Sequence, residues 1–408
     1  MFSSKLTLAS SASLLAFAPS VLAGFDTSSS SNIAVYWGQN SIGSGASVQT
    51  RLSEYCSNTE FNIIPLAFMN GIETPITNFA NAGDNCTAYA GTQLLNCPQL
   101  EEDIKTCQGQ GKTIMLSLGG ATYTEGGFAD ETSASNAADV VWGLFGSNTD
   151  YENRPFGSAV IDGFDFDFES TTQNFVPFAS RLRSLMDADS SKPYYLSAAP
   201  QCPYPDAAMN DMLNGAISFD FIQIQFYNNY CGVQAFTPGS TTQNNYNFET
   251  WDTWAKQTSK NPDVKILMGV PANTGAGGGY QDATALDPII QYNKQFSSFG
   301  GVMMWDMSQL YGNPGFLDGV YGSLTSGSTT TTTTPGTTST TSTSTSTTAT
   351  TFTTSTITTT TATTTTSTPG ATLVPQWGQC GGEGYTGPTE CQPPYTCVAS
   401  GVWWSDCR

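Results

Sequence analysis

The chain has 408 residues, of which 33 are Asp or Glu, 13 are Lys or Arg and none is histidine, giving a net charge of -20. Without histidine there is no Ser-His-Asp triad, no His-paired cysteine nucleophile and no His-ligated zinc, so acid–base chemistry must come from Asp, Glu, Tyr or Lys. So acidic a chain is a poor partner for nucleic acid or an anionic membrane surface, whereas a neutral polymer such as a polysaccharide meets no electrostatic objection.

Residues 1–23 read as a secretory signal: Lys5 supplies the positive end, 14–22 is apolar, and Val21-Leu22-Ala23 fits a small-residue cleavage site before Gly24. The run is too short and too Ser-rich for a membrane span, and no later stretch is long enough, so export without a membrane anchor is expected. Ten cysteines, an even number, fit an oxidising compartment and imply five disulfides. Six precede residue 240 and four follow residue 379, which points to two separately stapled units.

Residues 24–325 alternate short apolar runs with helical stretches such as 137–145 and 175–186. The runs fall at 33–37, 63–68, 113–118, 163–169, 194–199, 221–227, 265–271 and 302–307. Eight strands with crossovers over this length predict an α/β fold, a (β/α)8 TIM barrel, whose catalytic groups sit at the C-terminal ends of its strands. Those ends are chemically rich: Tyr36-Trp37-Gly38-Gln39-Asn40, Phe68-Met69-Asn70, Gly119-Gly120, Glu169, Gln201, Tyr227-Asn228-Asn229 and Trp305-Asp306.

The fourth run carries the sharpest signal, Asp162-Gly163-Phe164-Asp165-Phe166-Asp167-Phe168-Glu169. Side chains two apart share a face of a strand, so Phe164, Phe166 and Phe168 form one apolar face while Asp165, Asp167 and Glu169 line the other, about 6.5–7 Å apart. Enclosed together, three carboxylates cannot all stay ionised, and an acid held protonated near neutral pH is what a general acid needs. Asp162 reads as an acceptor of backbone hydrogen bonds ahead of the strand. Residues 326–372 are almost wholly Thr and Ser and form an extended linker of the kind that carries O-glycans. Residues 373–408 are too few to hold a core without staples.

These motifs identify the chain as resembling glycoside hydrolase family 18. Asp162–Glu169 has the family's DGxDxDxE form, and Ser117-Leu118-Gly119-Gly120 its SxGG strand. Tyr36-Trp37-Gly38-Gln39-Asn40, Ala198-Ala199-Pro200-Gln201-Cys202 and Gln225-Phe226-Tyr227-Asn228-Asn229 are similar to the plant and fungal class III chitinases. The resemblance implies a retaining, substrate-assisted endochitinase acting on chitin or chito-oligosaccharides without metal or cofactor. It makes Glu169 the acid, Asp167 the group that orients the substrate acetamide, Asp165 a sharer of Asp167's proton, and Tyr227 a donor to the acetamide carbonyl. Trp305 would floor the reacting sugar, with Tyr36, Phe68, Gly120, Gln225 and Asn228 as further substrate-binding positions. It also implies bridges Cys56–Cys107, Cys86–Cys97 and Cys202–Cys231. Between 271 and 301 there is room for one helix but no extra wall domain, so an open groove and internal cleavage are expected.

The C-terminal pattern Trp377-Gly378-Gln379-Cys380-Gly381-Gly382, followed by Tyr385-Thr386-Gly387-Pro388, is similar to fungal family 1 carbohydrate-binding modules. That likeness implies bridges Cys380–Cys397 and Cys391–Cys407, a small all-β fold, and sugar stacking on Trp377, Trp403 and Trp404 with Gln379 beside them. Gly401, Asp406 and Pro394 depart from the family's usual residues, leaving chitin or cellulose open as the module's ligand. A secreted, extracellular or wall-associated monomer is expected. The alternatives are an endo-β-N-acetylglucosaminidase on N-glycans and a non-catalytic chitin-binding lectin.

Overall fold

The computed structural model describes residues 24–45, 48–326, 373–374, 379–381, 387–399 and 405–407. The signal-like segment, residues 327–372 of the linker, and Trp377, Trp403 and Trp404 lie outside the described residues, as does the side chain of Gln379. The chain divides into two compact units, Met1–Leu324 and Thr325–Arg408.

In the first unit eight parallel strands close a barrel: β1 (Asn32–Val35), β2 (Ile63–Gly71), β3 (Thr113–Gly119), β4 (Gly163–Asp167), β5 (Tyr195–Ala198), β6 (Phe221–Gln225), β7 (Lys265–Pro271) and β8 (Phe299–Trp305). Each strand pairs with its sequence neighbours, and β1 closes the ring by pairing with both β8 (Ala34↔Met303) and β2 (Ala34↔Ile63). Among the described residues six helices of ten or more residues surround it, including Glu131–Phe145, Phe175–Ala188, Phe248–Gln257 and Ala283–Asn293. Between β7 and β8 there is only a loop and the helix Ala283–Asn293.

Only β7 keeps both limits of the sequence reading; β2 runs three residues further, to Gly71, and β1 ends two residues sooner, at Val35, while three other differences bear on the site. β4 stops at Asp167, because its ladder to β3 ends at Gly119↔Asp167 and its ladder to β5 at Phe166↔Ala198. β6 stops at Gln225, ahead of Tyr227. β8 starts three residues early and stops at Trp305, because Gly300 and Gly301 hid its start and Asp306 opens a short helix, accepting from the backbone N–H of Gln309 at 3.0 Å.

The apolar residues split into two layers. Phe164, Phe166 and Phe168 face outward into the strand–helix layer, where Phe168 packs on Phe175 at 4.3 Å between ring centroids. A smaller set fills the barrel: Phe25 plugs one end against Tyr195 and Phe221, and Met115, Leu267 and Met303 lie within. Asp162 staples the strand starts, accepting from the Ile114 N–H at 2.7 Å and Lys192 Nζ at 2.8 Å. Disulfides join Cys56 to Cys107, Cys86 to Cys97, and Cys202 to Cys231, the last linking the loops that follow β5 and β6.

In the second unit β9 (Gln379–Gly381), β10 (Cys397–Ala399) and β11 (Ser405–Cys407) form an antiparallel sheet in the order β9-β11-β10. Among the described residues of this unit, Val374, Cys380 and Cys407 are buried, and the disulfides Cys380–Cys397 and Cys391–Cys407 staple it.

Candidate active site

The inner face of β4 carries Asp165 deepest, Asp167 next and Glu169 just beyond the strand's end. Asp165 is fully buried and accepts four hydrogen bonds: from Tyr36 (2.6 Å), Ser117 (2.7 Å), Ser197 (2.6 Å) and Gln223 Nε2 (3.0 Å). Those donors come from β3, β5 and β6 and from the residue following β1, so only barrel closure assembles them. Burial pushes its pKa up, and the four donors pull it back toward the ionised form. Asp167, also buried, has one donor, Gln225 Nε2 at 2.9 Å. Burial, then the charges of Glu169, Asp165 and Asp206, push its pKa far above the ordinary carboxylate range. Glu169 is open to the cleft on one side and hemmed by protein on the other. Its pKa is raised by that enclosure and by Asp206, against the opposing donation of Gln225.

These causes separate the two aspartates. Asp165 has its acceptor positions filled by neutral donors, and no hydrogen bond among the described residues joins it to Asp167. Asp167, with a single donor and with the charges of Glu169 and Asp165 beside it, is the more strongly disfavoured of the two as a carboxylate. No ion pair among the described residues reaches Asp165, Asp167 or Glu169. The cluster is thus negative, uncompensated and poised to favour a developing positive charge.

Above these acids lies a cleft of about 220 Å³, lined by Asp167, Glu169, Gln225, Tyr227, Asn228, Phe68 and Trp305, with Gln39, Ala121, Thr122 and Ala276. Trp305 is half-buried and stacks on Phe68, with ring centroids 5.8 Å apart and an interplanar angle of 19°, which makes an apolar platform. Tyr227 is buried in its ring, and its hydroxyl has no hydrogen-bond partner among the described residues. Asn228 takes a left-handed φ of 56° and accepts from the Gly278 N–H at 2.6 Å, fixing the rim beside it. Gly120 lies beneath the platform with φ 76°, and a Cβ there would fall 2.7 Å from the Phe68 ring, so only glycine fits.

Most of the residues singled out from sequence converge here. Two of them also bond to the acids. Tyr36 lies beneath the cleft and donates its hydroxyl to Asp165, and Gln225 donates to Asp167 and to the Ala199 carbonyl at 3.0 Å. Ser197 and Gln223 went unread. The alternation of Gln223 and Gln225 with Ile222 and Ile224 was a signal of a polar inner face on β6. Ser117, named only as part of the SxGG strand, is a donor to Asp165.

A barrel whose strand ends present two neighbouring carboxyl groups with raised pKa values, an aromatic platform and an unpartnered tyrosine hydroxyl defines a glycosidase-type site. Residues 32–284 match the family described as Glycosyl hydrolases family 18, and residues 376–404 match Fungal cellulose binding domain. The chain is 57% identical over 313 residues to Endochitinase 33 of Trichoderma harzianum, covering 76% of this chain and 97% of that protein. Among solved structures, a chitinase from Ipomoea carnea is 27% identical with a TM-score of 0.58, covering 72% of this chain and 99% of the other. The xylanase and alpha-amylase inhibitor protein XAIP-II of Scadoxus multiflorus is 28% identical with a TM-score of 0.56, covering 71% and 98%. The chain belongs to glycosyl hydrolase family 18 and carries a fungal cellulose-binding domain at its C-terminus. Among the described residues no helix is long and apolar enough to cross a membrane.

Proposed function

We propose that the chain is a secreted endochitinase that cleaves internal β-1,4 bonds of N-acetylglucosamine polymers with retention. What supports this reading is one cleft lined by Glu169 and Asp167, whose pKa values are both raised, and by Tyr227 with its hydroxyl free. Glu169 gives its proton to the glycosidic oxygen as the C1–O bond breaks. The substrate's own acetamide oxygen attacks C1 and forms an oxazolinium ion, whose positive charge Asp167 offsets through the acetamide N–H. Tyr227 donates to the acetamide oxygen, and Trp305 and Phe68 carry the sugar's apolar face. Water, deprotonated by the Glu169 carboxylate, then opens the ring and restores the acid.

The domain plan that supports this is a signal at 1–23, a catalytic barrel at 24–325, a linker at 326–372 and an anchoring module at 373–408, with Trp377, Trp403 and Trp404 stacking on chitin or cellulose. The likeness to an inhibitor protein keeps a non-catalytic reading as the rival. The retention of Asp165, Asp167, Glu169 and Tyr227 favours the enzyme. Digestion of chitin hexasaccharide separates the readings: mixed internal products from wild type, lost in Glu169→Gln, support the endochitinase. Binding without turnover makes it a lectin, and disaccharide release from chain ends alone removes the internal-cleavage claim. Preferential cleavage of N-glycans over chitin oligomers makes it an endo-β-N-acetylglucosaminidase.

A further inference from the structure

We infer that Asp206, in the loop after β5, is a positioning residue that holds Glu169 in its acid form and so sets the alkaline edge of the activity. This rests on the reading of Glu169 as proton donor. Asp206 is buried, and its carboxylate accepts only backbone N–H groups: Gln201 at 2.9 Å on one oxygen, Ala208 at 2.9 Å and Met209 at 2.7 Å on the other. Burial raises its pKa, and the three amides, which need no proton on the carboxyl, pull it back toward the charged form. No side chain and no cation pairs with it among the described residues.

The residues held by these three bonds make further contacts with the chain around both acids. The Ala208 carbonyl accepts from the hydroxyl of Thr172, three positions beyond Glu169 on the same segment. Gln201 forms a parallel bridge with Gln225, whose backbone N–H donates to the Pro200 carbonyl at 2.8 Å and whose side chain donates to Asp167. Clamping 201 and 208–209 onto one carboxylate therefore sets the loop against the chain on both sides of the reacting acids. The charge of Asp206 also acts on Asp167 and Glu169, in each case opposing ionisation.

Gln225 and Asp206 act on Glu169 itself, and none of the groups that make up the acid cluster is basic. Asp165 and Asp167 come from β4, Gln225 and Tyr227 from β6 and its end, and Tyr36 from the end of β1. Asp206 stands after β5, and Asp306 after β8 acts on Tyr227. With no cation to offset it, loss of the Asp206 charge is felt directly by the acid.

The test is the pH profile of kcat/KM on chitin hexasaccharide for the full chain and for Asp206→Asn, Asp206→Ser and Asp206→Glu. The two neutral variants are expected to lose their alkaline limb at lower pH than wild type. Well above the wild-type midpoint, their activity relative to their own acid-side maximum should be about threefold lower or less. Asp206→Glu, which keeps the charge, should retain the wild-type limb even if its overall rate falls. A uniform loss at every pH, or an equal shift in Asp206→Glu, overturns the proposal. So does failure of both neutral variants to fold while Asp206→Glu folds, which would leave Asp206 a scaffold residue only. If Glu169→Gln keeps full activity in the same assay, it is the reading of Glu169 that fails, and the role of Asp206 falls with it.

Discussion

Asp252 and Asp167 are both buried carboxylates of one barrel, and their surroundings are opposite. Asp252, on the helix Phe248–Gln257, accepts from Lys256 Nζ at 2.6 Å and Ser298 Oγ at 2.7 Å. Asp162 has Lys192, Asp103 has Arg51 and Asp220 has Arg183, so these four carboxylates of the barrel's outer shell and strand starts each meet a cation. At the mouth, Asp165, Asp167, Glu169, Asp206 and Asp306 crowd together and meet only neutral donors. An outer acid is paired to hold the fold. A mouth acid is left unpaired, so that its proton and its negative field are available to a substrate.

Breaking the mouth at its centre should give the largest effect: Glu169→Gln lowers kcat by about 10²–10⁴-fold, with thermal melting showing an intact fold. Tyr227→Phe removes one donor to the acetamide and should cost about 10–100-fold in kcat, with KM little changed, in steady-state kinetics. On the other side of the comparison, Asp252→Ala should destabilise by about 1–3 kcal/mol in denaturant melts, since it leaves Lys256 and Ser298 unpaired, while the kcat of the folded enzyme is preserved.

The finest contrast is in pH. Unfolded Asp167 loses its proton near its ordinary value, whereas the folded group holds its proton to higher pH. Below the unfolded value both states are protonated and Asp167 contributes no pH dependence. As pH rises through the interval between the two values, the folded state binds more protons than the unfolded one, and stability falls. Asp167→Asn removes that decline. Its Tm should exceed that of wild type by about 2–4 °C at neutral pH, a gain that vanishes near pH 4, even as activity is lost. A Tm difference independent of pH would contradict the assignment.

How far the sequence carried this account follows from where each signal lives. The acidic face of β4 was legible because period-two alternation is local: Phe164, Phe166 and Phe168 declare the buried face and thereby the other one. The eight strands were legible for the same reason, except where Gly300 and Gly301 interrupted the apolar run at the start of β8. What could not be read is what closure brings together. Ser117, Ser197, Gln223 and Tyr36 are unremarkable on their own strands and become a four-donor cradle only when β1, β3, β5 and β6 surround Asp165. Asp206 lay in a loop with no periodicity to mark it, and its meaning comes from three backbone contacts and two neighbouring acids.

The central claim is that the unpaired acids of the mouth serve a retaining cleavage assisted by the substrate's acetamide. The most direct test is proton NMR of the anomeric products formed in the first moments of chitin hexasaccharide digestion, before mutarotation. The account predicts β-anomers. Initial α-anomers would mean direct attack by water with inversion, and would contradict it.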